Sequence, residues 1–131
     1  EEAAPLRDAC VAHGLALVYL VAPNSNEERI ARIAAETEGF LYVVSRMGTT
    51  GATADAAGRE LVEQIERVRR YARTPVAVGF GLSMPEQMRA LAPLVDGVIV
   101  GSAVVEQAAE GRERLIEYTR SLREALEHGE C

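Results

Sequence analysis

The residues of this sequence best suited to chemistry are glycines, hydroxyls and two aromatics. Val78-Gly79-Phe80-Gly81-Leu82-Ser83 ends one apolar run and opens a helical pattern, and Val100-Gly101-Ser102 does the same some twenty residues later. A glycine at a strand-to-helix turn lets backbone N–H groups approach an anion closely, and the helix start adds partial positive charge. The pair therefore reads as a phosphate-binding device, although the same glycines also suit plain tight turns. As a dinucleotide fingerprint, G-F-G-L-S-M lacks the third glycine. Ser45-Arg46-Met47-Gly48-Thr49-Thr50-Gly51, followed by the small residues 52–57, has the make-up of a loop that closes over a ligand, and equally of an ordinary surface loop. Tyr42 and Phe80 fall near the C-terminal ends of their apolar runs, placed to line an aromatic pocket or to serve as core.

Other chemistries are poorly provided for. Asp96 and Glu38 precede apolar runs, which puts them on the face opposite a barrel's catalytic end. Glu27, Glu28 and Glu86 fit first helical turns, and Asp55 and Glu106 fit solvated positions, so no acid–base pair emerges. All 14 basic residues are Arg, which excludes a Schiff-base or P-loop lysine within this chain. Cys10, Cys131, His13 and His128 lack ligand spacing, so no metal site is expected. A net charge of −6 argues against nucleic acid as a partner. The longest apolar stretch, Leu15 to Ala22, is far shorter than the roughly 20 residues of a membrane helix. With no leader pattern at Glu1-Glu2, a soluble cytoplasmic protein is the expectation.

The 131 residues suffice for one unit, or for half of a large domain. Four apolar runs, Leu15–Val21, Phe40–Val44, Val76–Phe80 and Val98–Val100, read as strands of a helix-covered parallel sheet. Helical patterns fall at Glu2–His13, Asn26–Thr37, Gly58–Arg73 (with Leu61, Ile65, Val68 and Ala72 on one stripe), after Ser83, and at Arg112–Glu127, where Leu115, Thr119, Leu122 and Leu126 point inward. Ser25-x-x-Glu28 and Ser83-x-x-Glu86 have capping-box spacing. Repeated βα units fit a doubly wound sheet or part of a (β/α)8 barrel; length favours the former and the glycine loops the latter.

Taken in order, these segments resemble the C-terminal half of the tryptophan synthase α-subunit. The resemblance runs through Glu2–Arg7, Leu20-Val21-Ala22-Pro23-Asn24, Phe40–Arg46 with Gly48-Thr49-Thr50-Gly51, Pro75–Gly81 with Pro85-Glu86-Gln87, and Asp96–Ala103. It implies four βα units of a (β/α)8 barrel, residues 1–131 forming a single half-barrel unit. It further implies a lyase cleaving indole-3-glycerol phosphate to indole and glyceraldehyde 3-phosphate by a retro-aldol step in tryptophan biosynthesis. By the same resemblance Gly51, Gly81, Gly101 and Ser102 hold the substrate phosphate, Tyr42 and Phe80 border the indole ring, and Thr50 belongs to the closing loop. Thr49 stands where the family usually has Val. The family's acid–base Glu and indole-nitrogen-binding Asp lie in the other half of the barrel, so this chain by itself is expected to be inactive. The implied partners are a β-subunit, which carries the pyridoxal phosphate and faces loops 24–26 and 46–49, and either a missing N-terminal half-barrel or a second copy. The alternatives are a half-barrel that binds phosphate or self-associates without catalysis, and half of another phosphosugar-binding barrel.

Overall fold

The computed structural model describes residues 3–45 and 54–128. Its elements run α1 (Ala4–Ala12), β1 (Leu20–Val21), α2 (Glu27–Glu36), β2 (Leu41–Val44), α3 (Ala54–Tyr71), β3 (Val76–Gly79), α4 (Pro85–Leu91), β4 (Gly97–Ile99), α5 (Ser102–Glu110) and α6 (Arg112–Glu127). The four strands form one parallel sheet in the order β1-β2-β3-β4. That order decides between the two architectures. A doubly wound sheet reverses its strand order and so carries helices on both faces. An order that only advances leaves one face bare, as in a segment of a barrel wall.

Register shows which face is which. Val21, Val43, Val78 and Val98 stand in one row across the sheet. The first three are fully buried, and Val98 packs against the core they form with Ile30, Leu61, Ile65 and Val68. The alternate residues face away from the helices: Leu20, Tyr42, Ala77 and Gly97 in one row, and Val44, Gly79 and Ile99 in the next. Leu20 is 52% exposed there, although a barrel interior is a packed core.

Several expectations are corrected in detail. The first strand is two residues long, not seven: β1 has one paired neighbour and Leu15 is exposed. The helical pattern at Glu2–His13 forms, but α1 has no buried residue and leaves Leu6 and Val11 exposed. The helix expected from Gly58 starts at Ala54, so Asp55 lies in its first turn and not in a loop. Caps shift by one residue. Asn26, not Ser25, caps α2, its Oδ1 accepting the Arg29 N–H at 2.9 Å, while Glu27 bonds Tyr71 and Arg70. After β4 the chain forms two helices, parted at Gly111, whose φ of 121° lies in the region only glycine occupies freely. In α6, Leu122 and Ala125 are buried, whereas Thr119 is exposed and donates to the Leu115 carbonyl.

Asp96 lies, as expected, on the N-terminal side of the sheet. Its Oδ2 accepts the Val76 N–H at 2.7 Å and pairs with Arg69 at 3.0 Å, while Arg69 also donates to the Leu94 carbonyl. One carboxylate thus ties the end of α3 to the starts of β3 and β4. The Val76 N–H, and secondarily the Arg69 charge, hold its pKa below the ordinary aspartate value. A depressed folded-state pKa adds stability above the ordinary range of about 3.9, and that stability is lost as pH falls through the folded value. Asp96→Asn is therefore expected to flatten the acid limb of a melting-temperature profile between about pH 5 and pH 2. Parallel profiles for the two proteins would remove this role.

Candidate active site

The C-terminal ends of β2, β3 and β4 open onto one cavity of about 390 Å3, within the range of small-molecule sites. Tyr42, Phe80, Gly81, Ser83, Ile99, Gly101, Ser102 and Glu106 line it. Five of the residues singled out from sequence, Tyr42, Phe80, Gly81, Gly101 and Ser102, are thereby brought together. Thr50 and Gly51, with the rest of 46–53, lie outside the described residues.

Each wall has a local cause. Tyr42 is the second residue of β2, two residues before its end, and its register partner is Ala77. Its ring reaches forward to the next row and crosses Gly79: a Cβ built on Gly79 would collide with the Tyr42 hydroxyl and lie 2.7 Å from Cζ. Gly79 belongs to the glycine-loop pattern, but its role, to leave room for the ring, is not one that the pattern gives. Phe80 follows directly with φ of 81° and 64% exposure. Left-handed backbone at a bulky residue costs of order 1–3 kcal/mol and persists only where the surroundings enforce it. Gly81, at φ 67°, continues the same turn without that cost.

The turn is held from both sides. The Gln87 Oε1 accepts from the Ser83 and Met84 N–H groups, each at 2.9 Å, so Gln87 and not Glu86 closes the box at the start of α4. The Tyr118 hydroxyl of α6 donates to the Ser83 carbonyl at 2.8 Å. Neither residue stands out from spacing; Gln87 lies one place beyond the S-x-x-E pattern, and nothing near Tyr118 in sequence signals a loop contact 35 residues away.

On the other wall, Gly101 precedes the first turn of α5 and offers no side chain to cap it. The first helix bond back to that turn is Val105 N–H to the Gly101 carbonyl, which leaves the Ser102, Ala103 and Val104 N–H groups without intrahelical partners. The cavity therefore has an aromatic side at Tyr42 and Phe80 and a side of amide donors at α5. Glu106, one turn along α5 from Ser102, is the only carboxylate lining it among the described residues. No group of acidic, histidine or cysteine residues suited to a metal occurs among them.

A parallel, one-face-covered run of βα units with its cavity at the strand C-termini defines the chain as part of a (β/α)8 barrel. The family model described as tryptophan synthase alpha chain matches residues 1–130. The chain belongs to that family. It is 44% identical over 116 residues to the tryptophan synthase alpha chain of Dehalococcoides mccartyi, covering 87% of this chain and 45% of that one. It is 43% identical to that of Halorhodospira halophila, covering 97% and 48%. Among solved structures, tryptophan synthase from M. tuberculosis in an aminoacrylate- and BRD0059-bound form superposes with a TM-score of 0.81 at 34% identity, covering 95% of this chain and 45% of that one. The chain spans about half the length of the relatives it matches.

Proposed function

We propose that this chain supplies the substrate-binding half of a lyase site that cleaves indole-3-glycerol phosphate to indole and glyceraldehyde 3-phosphate. The observation that carries the reading is the single cavity in which aromatic side chains face a helix start with unpartnered amides. Tyr42 and Phe80 take the indole ring; the amides at Gly81, Gly101 and Ser102 take the phosphate, with Gly51 added by resemblance and Thr50 assigned to the loop over the ligand. Two fixed ends position the bond to be broken between them, which is the entropic part of catalysis.

Proton transfer is assigned elsewhere. Glu106 stands beside the phosphate amides, where its charge opposes the ligand and does not serve the indole ring. The acid–base carboxylates belong to the other four βα units, which also cover the bare face at Leu20, Tyr42 and Val44. Pyridoxal phosphate requires a Schiff-base lysine that these residues lack, and it is assigned to a β-subunit partner; a cytoplasmic location accompanies this assignment. No helix among the described residues is long and apolar enough to cross a membrane.

Losing an acid–base group alone costs about 10²–10⁴ in rate. In a single-turnover assay, the 131 residues alone are expected to release indole at less than about a hundredth of the rate of a complete family member. Indole release near the complete enzyme's rate would place the proton-transfer groups in this chain and overturn the division of labour.

A further inference from the structure

We infer that Tyr118 is a positioning residue for the phosphate-receiving turn at Gly81–Ser83, acting from α6 without touching ligand. The inference rests on the phosphate reading above and extends it to a residue outside the motifs read from the sequence.

Several observations meet at this side chain. Its hydroxyl donates to the Ser83 carbonyl at 2.8 Å, across 35 residues of sequence. The turn it holds contains two consecutive left-handed residues, Phe80 at φ 81° and Gly81 at φ 67°. Such a turn needs external bonds, because Phe80 alone relaxes toward negative φ. The other side-chain bonds to the turn come from Gln87, which holds the Ser83 and Met84 N–H groups. Gln87 sits on α4, the helix that this turn opens, and so moves with it. Tyr118 anchors the turn instead to α6, a separate helix packed on α4. The phenol is also suited to a permanent donor role: burial, and then the Glu106 carboxylate, raise its pKa above the ordinary tyrosine value. Glu106 lines the cavity, so Tyr118 lies within electrostatic reach of one cavity wall while its hydroxyl holds the turn.

The geometry gives Tyr118 an effect that is largest at the phosphate end. Tyr118→Phe removes one hydrogen bond and keeps the ring, so α6 packing stays. The free turn then samples orientations in which the Gly81 and Leu82 amides no longer face the ligand. Loss of one such bond corresponds to a change of about three- to tenfold.

The test is a pair of titrations of the 131-residue chain, with indolepropanol phosphate and with indole, for the wild type, Tyr118→Phe and Leu122→Ala. Leu122 is a buried α6 residue that does not itself line the cavity and serves as a control for general loss of stability. Tyr118→Phe is expected to raise the dissociation constant for indolepropanol phosphate about three- to tenfold and to raise that for indole by a clearly smaller factor, since Phe80 only leads into the turn that Ser83 ends. Leu122→Ala, at a temperature where it is folded, is expected to change neither. Equal affinity of wild type and Tyr118→Phe for the phosphorylated ligand overturns the inference alone. Parallel weakening for both ligands, or the same weakening in Leu122→Ala, overturns it as well, by reducing Tyr118 to general support of the fold. A wild-type chain that does not distinguish the phosphorylated ligand from indole overturns the phosphate reading, and the inference falls with it.

Discussion

Gly79→Ala is expected to evict the Tyr42 ring from the sheet and to weaken binding of an indolyl ligand by about tenfold. The added methyl would overlap the Tyr42 hydroxyl, lie 2.7 Å from its Cζ and lie 3.1 Å from the Ile99 Cβ. The ring is the part able to move, since Ile99 and Gly79 are fixed by the β3–β4 ladder. Overpacking of this kind costs about 1–3 kcal/mol. The cost falls on stability through the displaced ring and on affinity through the lost aromatic wall. Removing the ring first removes the collision. In a Tyr42→Ala background the same Gly79→Ala change should therefore be nearly silent, with a coupling of about 1 kcal/mol or more in the double-mutant cycle. Additive losses, read from urea unfolding of the four proteins, would show that Tyr42 does not lie across Gly79.

Ile65→Ala carries the largest expected loss of stability. Ile65 is 1% exposed on the inward stripe of α3, within the cluster that includes Ile30, Leu61, Val68 and Val78. Truncating a buried Ile costs about 2–5 kcal/mol, through lost transfer energy and the cavity left behind. Domains are commonly stable by only about 5–15 kcal/mol in total, and a sheet with one bare face has less in reserve. The urea midpoint of Ile65→Ala is expected to fall sharply, whereas Ile116→Ala, at a side chain 46% exposed, should change stability by less than about 1 kcal/mol. Similar midpoints for both variants would mean that the α3–sheet contact is not the core of this fold.

How much of this was legible in the sequence follows from which interactions are local. Val76–Gly79 and Leu41–Val44 were readable as strands because both faces of a barrel wall favour apolar residues, which gives continuous runs. The Leu61–Ile65–Val68 stripe was readable because α3 buries one side against the sheet. Leu15–Tyr19 misled for the same reason. Their apolar character suits a strand with partners on both sides, whereas β1 here ends the sheet. The glycine turns and Tyr42 with Phe80 were visible as residue types, and the cavity brings them together. The supports of that cavity were not visible. Gly79 matters through the ring lying over it, Gln87 through a bond one residue off the expected capping pattern, and Tyr118 through a contact made only when α6 packs on α4. These are tertiary facts, and no periodicity records them.

Whether these residues form the phosphate- and ring-binding half of a lyase site is tested most sharply by a chemical-shift titration of the 15N-labelled chain with indolepropanol phosphate. The largest backbone amide changes are expected at Gly81, Leu82, Gly101, Ser102 and Ala103, with ring-current shifts near Tyr42 and Phe80, and only the latter set when indole replaces the phosphorylated ligand. Changes spread over the outer helices, or an identical response to indole and its phosphorylated analogue, would contradict that assignment.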